Sequence, residues 1–171
     1  MQLYFDTEFS QFRDGKLLSI GFVSDDDHTL YLEVDEPCRH RASSDFCIQH
    51  VLSQFGLVAG AKVTSDAQAG ERVAQWLTSF DQDLVLCYDY KLDWRFLEEI
   101  LRSAGAWNSL SPRLRAYDIA SEASAETCLA AQESYFIGRK NPGRHHALVD
   151  AFALRERWWE YLRANAERRD A

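Results

Sequence analysis

Residues 84–88 read Leu-Val-Leu-Cys-Tyr, an apolar run with no polar residue alternating through it. That is the pattern of a strand covered on both faces. A sheet built around such a strand needs a helical layer on each side. The neighbouring sequence supplies them. Residues 66–80 carry Val73, Trp76, Leu77 and Phe80 at helical spacing, with Thr64, Ser65 or Asp66 to cap the start. Residues 92–104 turn Phe96, Leu97, Ile100 and Leu101 inward. A last helix is expected from about His146, with Leu148, Ala151, Leu154, Trp158 and Leu162 on its inner side and a tail that frays from about residue 164.

Four further strands are expected. Residues 2–5, 17–23 and 28–34 lie close together and suggest an antiparallel meander. In the third of them Leu30, Leu32 and Val34 alternate with Tyr31 and Glu33, as in a strand with one buried face. Residues 45–53 suit a short helix. Residues 114–117 suit a short strand, and Asp118 is placed to cap the next element. The expectation is one α/β domain over residues 1–171: a three-layer fold with a mixed five-stranded sheet, the parallel strands lying beyond the first strand. Ligand sites in such sheets gather at the strand carboxyl ends.

Composition narrows the function. A 46% hydrophobic chain of 171 residues can build one sizeable core. No apolar run approaches the ~20 residues of a membrane span. The first ten residues hold two acids and no basic stretch, which argues against a secretory signal and for a cytoplasmic protein. The four cysteines form no C-x-x-C, so reduced thiols are expected rather than zinc. A net charge of −8 argues against long duplex binding through Lys and Arg. Carboxylates that hold divalent cations still admit nucleic acid, because the ions locally overcompensate them.

Three acidic motifs stand out. Asp6-Thr7-Glu8 ends the first strand, where a D-x-E pair puts two carboxylates on one side, about 7 Å apart. Hard cations seek such oxygen ligands. Asp93 opens the helix after the buried strand; it is either a ligand or only a cap, and Asp89 is its rival. Asp150 lies in the early turns of the last helix, where a buried carboxylate needs a partner. His145, five residues earlier, is about 140° away around a helix. It must therefore reach a common site from the loop Asn141-Pro142-Gly143-Arg144, and His146 is the alternative imidazole.

Phe5-Asp6-Thr7-Glu8, the stretch D-W-R-F-L from Asp93, and H-H-A-L-V-D-A from His145 together resemble the DEDDh 3′–5′ exonucleases. That family includes proofreading exonuclease subunits, RNase T and oligoribonuclease. D-W-R-F-L is most similar to oligoribonuclease; YFDTEFS and LLSIGFV are similar to small stand-alone prokaryotic exoribonucleases. The resemblance spans residues 2 to about 160. Asp89 stands where the family often has Asn, and His146 where it often has Gly, Asn or Thr.

The resemblance implies an RNase H-like fold. It implies Asp6, Glu8, Asp93 and Asp150 as ligands of two Mg²⁺ or Mn²⁺, and His145 as general base. It implies 3′–5′ hydrolysis of single-stranded RNA, or an RNA 3′ overhang, to nucleoside 5′-monophosphates. Thr7 and Phe9 would flank the terminal nucleotide, with Phe9 equally suited to the core. Arg144, with Arg139 and Lys140, would hold a phosphate or form a solvated loop. The alternatives are a non-catalytic RNase H-like module binding nucleic acid or protein, an exonuclease acting mainly on DNA, an RNase H endonuclease, and a phosphotransferase. The last would want D-x-D where Glu8 stands. Related exoribonucleases are often dimers, and Trp94, Trp107, Trp158 and Trp159 add to the expectation of a homodimer.

Overall fold

The computed structural model describes residues 1–169. Its elements run β1 (Gln2–Phe9), β2 (Leu17–Ser24), β3 (Thr29–Val34), α1 (Pro37–Arg41), α2 (Asp45–His50), β4 (Lys62–Val63), α3 (Asp66–Thr78), β5 (Leu84–Tyr88), α4 (Lys91–Ser103), α5 (Trp107–Leu110), β6 (Leu114–Asp118), α6 (Glu126–Phe136) and α7 (Ala147–Arg169), with 3₁₀ turns at Leu52–Gln54 and Ser111–Arg113. The strand order is β4-β3-β2-β1-β5-β6. β1, β2 and β3 form the expected antiparallel meander, and β5 and β6 continue parallel beyond β1. The sheet has six strands rather than five: β4 adds two residues parallel to β3 at the far edge. Two residues are too few to carry a readable alternation.

The helices form the two covering layers. α3 and α4 close one face over Leu3, Phe5, Val73, Leu77, Phe96 and Leu97. α6 and α7 close the other over Tyr4, Cys87, Cys128, Ala151, Leu154 and Trp158. Ser65 caps α3 by accepting from the Gln68 amide, and Ser44 caps α2 through Cys47. Asp118 accepts from the Ala120 amide and so closes a turn, while α6 begins only at Glu126.

Three features differ from the sequence reading. β1 runs to Phe9, so Asp6 and Glu8 lie within the strand, paired with Gly21 and Ser19 of β2. β3 is covered on both faces: Tyr31 and Glu33 are 6% and 0% exposed, roofed by the start of α7 and by residues 55–61. α7 is helical through Arg169 rather than frayed from about 164; Asp170 and Ala171 lie outside the described residues. At about 34 Å it outruns the sheet, which leaves Leu162 44% exposed instead of inward.

All four cysteines are free. Trp94 and Trp107 pack on each other against the α3/α4 core, and Trp158 and Trp159 pack in the α7 layer. Of these four, Trp158 is buried and Trp94, Trp107 and Trp159 are half-buried. No helix among the described residues is long and apolar enough to cross a membrane.

Candidate active site

Side chains alternate along β1. Tyr4, Asp6 and Glu8 face the α7 layer; Phe5, Thr7 and Phe9 face α4. Opposite Asp6, Gly21 of β2 lets α7 sit directly on the strand. A Cβ there would lie 2.3 Å from the Leu148 nitrogen. This close approach brings the first turn of α7, and Asp150 with it, over the acids of β1.

Asp93 arrives from the opposite layer, in the first turn of α4. It is 2% exposed and is not the helix cap, which is Tyr90. Its Oδ1 accepts from both the Thr7 amide (3.2 Å) and the Thr7 hydroxyl (2.6 Å). Its Oδ2 is buried with no partner, and so is Oδ2 of Asp6. One ligand atom each from Asp6, Asp89 and Asp93 lie within 4.8 Å of one another, as do those of Glu8, His145 and Asp150.

His145 sits just before α7 with φ = 65°, a left-handed conformation that costs a non-glycine residue roughly 1–2 kcal/mol. Its amide donates to Asp150 Oδ2 at 2.9 Å, which fixes the turn. The ring stands edge-on to Phe46 at 4.9 Å, with Nδ1 3.9 Å from Glu8 Oε1. The pair expected from the sequence therefore meets as expected, with His145 coming from the loop. His146 points away. It is buried against Tyr31 with ring centroids 4.1 Å apart, and neither ring nitrogen has a partner.

The acids crowd one another in a desolvated place. Burial, then the charges of Asp93, Asp150, Glu8 and Asp89, hold the Asp6 carboxyl well above its ordinary value. Burial and then Asp150 do the same to Glu8. Burial pushes Asp93 and Asp150 up to about 7. Two of these acids sit at helix starts, where the helix dipole eases negative charge, yet desolvation wins. His145 moves the other way: burial, Arg144 and His50 lower its pKa and favour the neutral imidazole.

Several carboxylates forced together and two buried oxygens lacking donors are what a hard divalent cation relieves. Asp6, Glu8, Asp93 and Asp150 fit such an ion set. Asp89 joins their edge, held by Arg157 at 3.1 Å, and burial raises its pKa despite that partner. The sequence offered Asp89 and Asp93 as rivals; the fold brings both to one cluster.

The cluster floors a cleft of about 510 Å³, walled by Phe9, Phe12, Phe46 and Tyr90. Phe9 also stacks on Phe96 at 5.5 Å, so it serves both the core and the wall. Thr7, expected beside substrate, borders the cleft but is 4% exposed and spends its hydroxyl on Asp93. Arg144 lies on the other flank, beside a cavity of about 150 Å³ shared with Asp6, Asp89, His145 and Asp150. Its guanidinium pairs with Glu133 at 2.5 Å and covers the Phe136 ring. The sequence reading missed Phe12, Phe46 and Tyr90, because exposed aromatics in loops and short helices carry no periodic signal. It also missed Gln54, which ties the His145 loop to the turn after α2 by accepting from the Gly143 amide and donating to the Arg144 carbonyl.

No protein-family model and no curated protein matches this chain.

Proposed function

We propose that the chain is a metal-dependent 3′–5′ exonuclease of the DEDDh type with an RNase H-like fold, acting on single-stranded RNA. The observation that carries this reading is the placement of His145. Its imidazole is held with Nδ1 3.9 Å from Glu8 Oε1, in a cleft lined by four carboxylates gathered from three separate elements. Asp6, Glu8, Asp93 and Asp150 would hold two divalent cations. When bound, such a pair supplies Lewis acidity, making water a nucleophile near neutral pH and stabilising the leaving 3′-oxygen.

His145 takes the proton of the attacking water on a ring nitrogen. Its lowered pKa keeps it unprotonated, and so competent as a base, at neutral pH. Asp150 holds His145 in place through the backbone rather than through the ring. Thr7 holds Asp93 with one oxygen engaged and the other turned free. Phe9, Phe12, Phe46 and Tyr90 give flat apolar surface on which unpaired bases stack. The product is a nucleoside 5′-monophosphate. The choice of RNA over DNA rests on the resemblance in the three motifs.

End-labelled RNA and DNA of one sequence, incubated with Mn²⁺ or with EDTA, test the reading. RNA should shorten stepwise from its 3′ end only with Mn²⁺, and not with the Asp6→Ala variant. Intact RNA, loss from the 5′ end, or equal activity in EDTA refutes it.

A further inference from the structure

Beside the acidic cleft lies a second groove, of about 230 Å³, lined by Gln49, His50, Ser53, Gln54, Arg139, Lys140, Asn141, Gly143 and Arg144. Among the described residues no carboxylate lines it, although acids outnumber Lys and Arg by 27 to 19 in the chain. Four of its acceptors are already engaged. The His50 and Arg144 carbonyls accept from Gln54 Nε2, Gln54 Oε1 accepts from the Gly143 amide, and the Gln49 carbonyl accepts from Ser53. Arg139 is held over Tyr135 at 4.0 Å, with Nε donating to the Tyr135 carbonyl. Among the described residues Lys140 has no hydrogen-bond or ion-pair partner. Arg144 lines both this groove and the cavity that holds Asp6, Asp89 and Asp150.

A groove lined by Lys140, Arg139 and the Glu133-paired Arg144, with no carboxylate on its own wall, favours an anion. We infer that it is a second phosphate site, which takes the phosphodiester upstream of the scissile one as the strand leaves the acidic cleft past Arg144. This rests on the function proposed above. Bases then lie along the aromatic wall, while the backbone is held on the opposite flank by Lys140 and Arg139.

Substrates with one and two phosphodiesters separate the sites. UpU has only the scissile phosphate; UpUpU has one more. Lys140→Ala should raise KM for UpUpU about tenfold, the order of one charge-assisted hydrogen bond, and KM for UpU by less than twofold. The salt dependence of KM for UpUpU should fall by about 0.7 in log–log slope. An equal rise for both substrates, or none for UpUpU, overturns the inference. If wild-type protein cleaves neither, the proposed function fails, and binding decides the groove on its own. Fluorescence anisotropy of labelled pentauridylate with Mn²⁺ should then show wild type binding about tenfold tighter than Lys140→Ala, and equal affinities overturn the site.

Discussion

Thr7 of β1 and Asp93 in the first turn of α4 meet through two hydrogen bonds to a single oxygen, Asp93 Oδ1. That leaves Oδ2 free and turned into the acidic cluster. Thr7→Val keeps the shape and removes the hydroxyl donor. It should cost ~1–3 kcal/mol of stability and lower turnover at least tenfold, while Thr7→Ser restores both. Urea denaturation with steady-state assays of the two variants checks this; a Val variant with normal turnover means Asp93 needs no such clamp.

Metal-free protein should be less stable at pH 8 than at pH 6. A carboxyl whose folded pKa is raised favours the folded state while protonated. The resulting penalty is absent below the unfolded value of ~4 and grows as pH climbs to the folded one, about 7 for Asp93 and Asp150. Asp6 and Glu8 act in the same direction. His146, lowered to about 4 by burial, opposes this only below ~6.5. Melting in EDTA should occur at higher temperature at pH 6 than at pH 8, and Mn²⁺ should raise the midpoint more at pH 8. A midpoint indifferent to Mn²⁺ at pH 8 speaks against an ion in this cluster.

The two adjacent histidines should separate cleanly. His145→Ala should cut turnover ~10²–10⁴-fold with partial recovery at high pH, as hydroxide replaces the missing base, and should leave Mn²⁺ affinity nearly unchanged. His146 makes its contact through ring faces alone. His146→Phe should keep activity within a few-fold and full stability, since an isosteric ring has no unpaired nitrogens to bury. His146→Ala should cost ~2–4 kcal/mol through the cavity it leaves under Tyr31. Rate against pH together with thermal melts decides, and a Phe variant as slow as His145→Ala reverses the assignment.

Gly21→Ala should destabilise the chain by more than ~2 kcal/mol and lower activity beyond that loss, because α7 must lift from β2 and carry Asp150 away from Asp6. Chemical denaturation and Mn²⁺ titration of the variant measure both effects. A fully active, stable variant would show that the helix has room to give.

Much of this was legible in the sequence because period and position expose it. The unbroken run at residues 84–88 marked a doubly covered strand, and Asp6, Glu8, Asp93, His145 and Asp150, picked out from their motifs, line one cleft, although Asp6 and Glu8 lie within β1 rather than at its end. Other features depend on contacts distant in sequence. Thr7 is 86 residues from the carboxylate it holds, and Gln54 is 89 from the amide it accepts from. Tyr31 and Glu33 read as an exposed face because nothing in residues 28–34 announces that the start of α7 will cover them. β4 is too short to register, and Leu162 matched the helical period in a stretch where the sheet had already ended.

The alternation along β1 has a consequence for how the protein folds. A pairing error of one residue between β1 and β2 would turn Asp6 and Glu8 toward Phe96 and Leu97, and Phe5 and Phe9 toward α7. Unlike most register errors, this one would strand two carboxylates inside the larger core and dismantle the acidic cluster in the same stroke. Misregistered chains are thereby both expelled from the compact state and silent in any assay. Under the function proposed above, specific activity per mole of chain doubles as a measure of the fraction that has paired its first hairpin correctly.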